Sequence, residues 1–214
     1  MKTKSLLLPV FLLSILANSL FCEAGEAPAP AEPDSDLVLD TSGKPLRIRF
    51  TYYILPVSHG SGGGLELTNT NNTKCPLDVV QSSDDTPGIP ATFFPFNLNK
   101  DGVPVLTDLN IMFPNRYTTC PESPVWKLDH YSPTEPSDKV YFITTGGVVG
   151  NPAPETLRNW FKIKKFGDGY KFVHCPSVCS FCDIVCKDVG IIVQNGKRRL
   201  ALTDVPYNVV FKRA

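Results

Sequence analysis

The chain has 214 residues, is 42% hydrophobic and 20% charged, and sets 21 basic against 21 acidic residues. That apolar share is enough for a packed core and excludes a disordered chain, while the zero net charge gives no footprint for nucleic acid or an anionic membrane surface. Twenty prolines and fifteen glycines exclude a mostly helical protein, because an interior proline removes a backbone donor and clashes with the preceding turn.

In chain order, residues 1–24 read as a secretory signal. Lys2 and Lys4 make a basic start, 6–16 is an apolar run broken by Pro9 and Ser14, and small residues follow, with cleavage points after Ser19 or Ala24. The run is shorter than the ~20 residues of a membrane-spanning helix, and no later segment qualifies as one. Residues 25–36, rich in Pro, Ala and acids, read as a flexible or removable leader, which leaves 37–214 as the folded domain.

From residue 37 the pattern is short β-type runs separated by turn residues. The runs are 48–57, 64–68, 78–82, 92–96, 103–113, 125–131, 140–145, 161–166, 170–175, 190–194, 200–203 and 208–212. Many alternate apolar and polar side chains, as in Phe161-Lys162-Ile163-Lys164, so that one face turns inward and the other outward. Gly167-Asp168-Gly169 and Asn195-Gly196 mark two tight hairpins. Only 154–159 hints at a helical turn. Many short strands with frequent turns predict an all-β sandwich or barrel, with a faint threefold echo of about four strands per third.

Seven cysteines are present: Cys22, Cys75, Cys120, Cys175, Cys179, Cys182 and Cys186. Cys22 lies in or beside the cleaved stretch, and the remaining even number suits an oxidised secreted protein. Cys175-x3-Cys179-x2-Cys182 matches an iron–sulfur spacing, the whole run could suggest zinc, and Cys179-x2-Cys182 could be a redox pair. The first two need reduced thiolates, and the third needs a helix-opening motif that is not visible here. Disulfides are therefore expected, with no metal. Six cysteines permit fifteen pairings. The symmetric spacing makes a nested arrangement natural: Cys175 with Cys186, Cys179 with Cys182 inside it, and Cys75 with Cys120. The last would contribute ~3–4 kcal/mol through the loop it closes.

The remaining motifs are bland. Gly60-Ser-Gly-Gly-Gly64 precedes a β-type run, not a helix, so it reads as a flexible hairpin connection and not a phosphate cradle. His59, His130 and His174 lack the partner pattern of nucleophilic catalysis, and Asp129 and His130 as strand neighbours would point to opposite faces. Lys162, Lys164, Lys165, Lys197, Arg198 and Arg199 read as outer strand faces and a hairpin tip. No enzyme activity and no cofactor are expected. Asn71-Asn72-Thr73 offers Asn71 as a glycosylation site in a polar loop.

Taken together, Val38-Leu-Asp40-Thr-Ser-Gly43-Lys44-Pro-Leu46 with Tyr52-Tyr53-Ile54, Cys75-Pro-Leu-Asp-Val-Val-Gln81, Thr107-Asp-Leu-Asn-Ile111, Val125-Trp-Lys-Leu-Asp129 and Trp160-Phe-Lys-Ile163 resemble the plant Kunitz-type (soybean trypsin inhibitor) family. The inner pair Cys179 and Cys182, with 148–155, looks most like its miraculin-like branch. The resemblance implies a β-trefoil of twelve strands in pseudo-threefold array, part barrel and part cap, and the three disulfides just described. It also implies a secreted protein, apoplastic or vacuolar, of the defence and serine-protease-inhibitor class, with a protease as partner and no nucleic acid or membrane. Six paired cysteines leave no thiol for an interchain bond, so a monomer is expected.

In this family an exposed loop presents a peptide bond to the protease in substrate-like form. The matching segment here is Pro95, Phe96, Asn97, Leu98, Asn99 and Lys100, in which Pro95-Phe96-Asn97-Leu98 resembles the family's Pro-aromatic-Arg/Lys-Ile. Asn97 stands where the basic residue would be, and Ile48-Arg49 stands where an Asn-Gly step often braces the loop. Both departures predict weak action on trypsin. The alternative is a non-inhibitory, miraculin-like defence protein that binds a carbohydrate or a receptor.

Overall fold

The computed structural model describes residues 37–70, 74–97, 101–130 and 139–214. The signal segment 1–24, the leader 25–36, Cys22, Asn71, Leu98, Asn99 and Lys100 lie outside the described residues. Among the described residues of the compact unit Asp36–Ala214 there are twelve strands. They are β1 (Tyr52–Pro56), β2 (Leu65–Thr68), β3 (Asp78–Gln81), β4 (Thr92–Pro95), β5 (Leu109–Met112), β6 (Lys127–Leu128), β7 (Ile143–Thr144), β8 (Lys162–Phe166), β9 (Gly169–His174), β10 (Lys187–Gln194), β11 (Lys197–Thr203) and β12 (Val209–Arg213). Two short 3-10 helices, Asn115–Tyr117 and Pro154–Asn159, complete the described elements. Among the described residues no helix is long and apolar enough to cross a membrane.

The pairing repeats every four strands. Antiparallel pairs β12–β1, β4–β5 and β8–β9 are joined through Tyr52 to Ala91, Leu109 to Phe161, and Val209 to Tyr170, which closes a ring in the order β1, β4, β5, β8, β9, β12. Hairpins β2–β3, β6–β7 and β10–β11 form a second layer. They meet one another through β3–β11, β3–β7 and the Phe142–Ala201 bridge. A closed six-stranded barrel capped by three mutually paired hairpins is a β-trefoil. Closure also removes the exposed barrel edges that would otherwise recruit other chains.

The core is aliphatic and holds an aromatic cluster. Phe93 of β4, Phe172 of β9 and Phe211 of β12 surround one another at centroid distances of 6.4, 5.3 and 6.0 Å, and Trp126 reaches Phe172 at 5.4 Å and Phe161 at 6.0 Å. All five side chains are buried. Each such ring removes roughly 150–250 Å² from water, about 4–6 kcal/mol at ~25 cal/mol per Å² before entropy is subtracted. Turn chemistry sets the register. Asn195 and Gly196, with φ of 52° and 74°, occupy the left-handed conformations that a two-residue hairpin requires, and β10 and β11 pair from Gln194–Lys197 outward.

Three expectations need correction. Arg199 is not on an outer face. It is 2% exposed, pairs with Asp78 across β11 and β3, bonds Gln194, and stacks 3.6 Å above the Phe142 ring. Nor is the glycine loop a loose connection. Gly63 and Gly64 donate their amides to the carbonyls of Ser82 and Thr86 at 3.0 and 2.7 Å, and a Cβ on Gly63 would lie 2.2 Å from the Asp84 oxygen. These amides are consumed inside the protein and do not cradle a phosphate. Finally, Asp129 and His130 follow β6 in a turn where His130 has φ 46°, which brings the imidazole to 3.7 Å from the carboxylate at an exposed site.

Breaking a buried ion pair from one side leaves the other charge desolvated. Arg199→Ala is therefore expected to cost about 3–5 kcal/mol, read as a lower urea midpoint, whereas the double replacement Arg199→Met with Asp78→Leu should cost less. Equal losses would show that the charges add nothing beyond packing.

Candidate functional site

β4 and β5 are antiparallel partners, yet a long connection, 96–108, separates them; in this excursion 96–97 and 101–108 are described, and Val103 is buried in the core. Its neck is closed by one hydrogen bond: the Phe96 amide donates to the Asp108 carbonyl at 2.7 Å. Pro95 is buried in β4, whereas Phe96 is 55% exposed and Asn97 is exposed. The Phe96 ring meets buried Trp160 edge-on at 5.9 Å. Beside it lies a cavity of about 200 Å³ lined by Phe94, Pro95, Phe96, Asn110, Val149 and Trp160, among others. Asn110 is fully buried; its amide donates to the Asn159 carbonyl at 2.9 Å and its oxygen accepts from Gly150 at 2.7 Å, fastening the neighbouring segment to the barrel.

The far side of the excursion is held by the start of the domain. Val38 donates to the Val103 carbonyl and Val103 donates to the Leu46 carbonyl, each at 2.9 Å, and Leu37 bridges Pro104. A Cβ on Gly102 would sit 2.9 Å from the Leu37 side chain, so this segment is closely covered. Arg47 reaches Asp101 at 3.1 Å, with both side chains more than half exposed. Ile48, where a bracing amide would stand, is half-buried against the core instead.

Below the neck, Asp108 is 6% exposed. Its carboxylate accepts the amide and the hydroxyl of Ser177 at 2.9 and 2.6 Å and lies 3.6 Å from the Lys162 ammonium. Lys162 in turn donates to the Ser177 hydroxyl at 3.1 Å. This lysine is largely covered and is not part of an ordinary solvated face. Ser177 belongs to the loop closed by Cys175–Cys186, inside which Cys179 is bonded to Cys182; Cys75 is bonded to Cys120. Sulfurs joined in this way supply no thiolate to a metal or a redox step.

In the sequence Asp108, Asn110 and Trp160 stand out only as parts of longer motifs, and nothing marks Ser177 for a role. The run 103–113 reads as β-type, but nothing local shows that Asp108 turns its carboxylate inward to a serine 69 residues away.

His174, the last residue of β9, is fully buried. Its Nδ1 lies 3.1 Å from the Trp160 carbonyl, an acceptor only, so Nδ1 carries the proton. Burial pushes its pKa down to about 4 from 6.5, with the Trp160 hydrogen bond opposing. The unfolded chain binds the extra proton first as pH falls, so stability is full above about 6.5 and drains away toward about 4. The loss is about 3 kcal/mol for a shift of this size. Thermal melts between pH 7.5 and 4 should show this slope, and His174→Gln should flatten it. An unchanged slope in that variant would assign the acid sensitivity elsewhere.

A family of trypsin and protease inhibitors, the Kunitz legume type, matches residues 38–213. Kunitz trypsin inhibitor 5 of Arabidopsis thaliana is 44% identical over 211 residues, covering 98% of this chain and 99% of the relative. Miraculin of Synsepalum dulcificum is 46% identical over 213 residues, covering 94% and 91%. Among solved structures, the Kunitz-type cysteine protease inhibitor PCPI-3 from potato superposes with a TM-score of 0.72 at 38% identity, covering 83% of this chain and 97% of that one.

Proposed function

The chain belongs to the Kunitz-type trypsin and protease inhibitor family, whose members inhibit proteases and are not enzymes, and from that premise we propose that it inhibits a serine protease through the segment 95–100. The observation that supports this reading is the double fastening of the excursion. Phe96 is tied to Asp108 on one side and Val103 is tied to Val38 and Leu46 on the other, while Phe96 and Asn97 stay exposed between them. A loop already ordered by its scaffold loses little entropy on entering a protease cleft, which favours tight binding and slow cleavage.

Trypsin is a poor target on this reading. Its primary pocket holds a buried aspartate, and Asn97 brings no charge to neutralise it. With the register one residue on, Leu98 would suit an apolar, chymotrypsin-like pocket. Purified protein should therefore inhibit chymotrypsin-like proteases better than trypsin in a protease panel, and nanomolar inhibition of trypsin would refute the assignment. Asn97→Arg is expected to strengthen trypsin inhibition at least about tenfold. No gain would move the contact residue to Leu98 or Lys100.

Secretion through the signal 1–24, glycosylation at Asn71, loss of the leader 25–36 and a monomeric state complete the proposal. A second reading is favoured by Ile48, which packs against the core and gives the excursion no side-chain hydrogen bond. On that reading the inhibitory loop has lapsed and the protein binds a carbohydrate or a receptor. A silent protease panel combined with a positive glycan array would select it.

A further inference from the structure

A buried carboxylate that accepts two hydrogen bonds from one serine needs a reason. Removing a carboxylate from water is costly unless charge and hydrogen bonds compensate, and an apolar pair of the same volume would pack this site at less cost. Asp108 nevertheless sits at the one residue whose carbonyl closes the neck of the excursion. Its side chain points the other way, to Ser177 and Lys162. Because side chain and carbonyl share one short stretch of backbone, fixing the carboxylate fixes the direction of the carbonyl that receives the Phe96 amide.

Three elements meet at this carboxylate. Asp108 immediately precedes β5, Lys162 begins β8, and Ser177 comes from the cysteine loop. The main chains of Leu109 and Phe161, the residues next to Asp108 and Lys162, exchange hydrogen bonds at 2.8 and 2.9 Å, so two corners of the triangle are already part of the barrel. The third corner is the cysteine loop, whose ends are joined by Cys175–Cys186 and which carries the second link Cys179–Cys182. The amide and hydroxyl of Ser177 both point at one carboxylate oxygen, a charge-assisted pair that holds direction as well as distance.

We propose that Asp108 is a positioning residue for protease inhibition, and that the cysteine loop, acting through Ser177, braces the Phe96 side of the inhibitory segment. This side lies opposite the one held by residues 37–47, and the brace acts where Ile48 contributes no hydrogen bond. The proposal rests on the reading that 95–100 is the segment a protease meets.

The test is Ser177→Ala, with Ser177→Thr as the conservative counterpart that keeps the hydroxyl, and Asp108→Asn as a second probe of the charge. Hydrogen–deuterium exchange in the intact protein should show the Phe96 amide exchanging about tenfold faster in Ser177→Ala, with the amides of Phe93 and Phe172 unchanged and Ser177→Thr near the native rate. A protease from the panel that binds the native protein should bind Ser177→Ala about tenfold more weakly and cleave its loop faster. Native exchange at Phe96 in both Ser177→Ala and Asp108→Asn would overturn the proposal, as would acceleration spread evenly over the barrel. Faster exchange at Phe96 in a protein that inhibits no protease would leave the brace standing and remove the inhibitor reading instead.

Discussion

Everything in this fold depends on closing a ring of six strands around aromatic side chains. Phe93, Phe172 and Phe211 come from strands far apart in sequence, and their mutual edge-on and stacked contacts exist only when β4, β9 and β12 lie on the same barrel. The three cap hairpins then seal one end, and the Arg199–Asp78 pair between β11 and β3 locks two of them at a buried site. Because the pairing repeats every four strands, each third contributes the same parts. The connection 96–108 between two thirds is held in one part and open in another: Val103 lies in the core and Leu106 donates to the Ile163 carbonyl, while Phe96 and Asn97 are exposed.

A protruding segment on a rigid barrel has two feet, and the two are held by different physics. The foot at 101–104 is held by backbone ladder bonds to 37–46 and by an ion pair on the surface, Arg47 with Asp101. Exposed pairs of this kind contribute about 0–1 kcal/mol, so the ladder bonds carry that side. The foot at Phe96 is held by its amide bond to Asp108, an aromatic contact with Trp160, and the Asp108 carboxylate beneath. His174 hydrogen-bonds the carbonyl of the same Trp160, and Cys175 follows it directly. The Phe96 foot and the cysteine loop are thus neighbours in packing as well as in hydrogen bonding.

Strand existence was legible in the sequence, and strand extent was not. All twelve β-type runs contain a strand, and the helical hint at 154–159 is a 3-10 helix. The run 103–113 shrinks to Leu109–Met112 because Leu106 turns at φ 58° on the surface, where an apolar side chain imitates a strand position. The run 125–131 shrinks to Lys127–Leu128 for a like reason at His130. β10 and β11 run longer than their apolar patterns, since the ladder continues through Lys187 and Lys197 at its polar ends. Period-two alternation reports burial, and ladders extend beyond what is buried. The segment 95–100 was singled out through its resemblance to a family motif, and its residues 98–100 lie outside the described residues. The contacts beneath it were not, because a carboxylate, a serine and a lysine at 108, 177 and 162 carry no shared local signal.

That asymmetry bears on how this family can change target without losing fold. On the proposed reading, a residue that would choose a protease, such as Asn97, sits exposed, while those that would hold the segment, such as Asp108 and Asn110, are buried and tied to other strands. On that reading a brace in the cysteine loop leaves position 48 able to be apolar and pack against the core, because the Phe96 side is held without a side-chain amide there. The departure at Ile48 then marks a shift in where the segment is held, and it does not by itself mark the loss of a working loop.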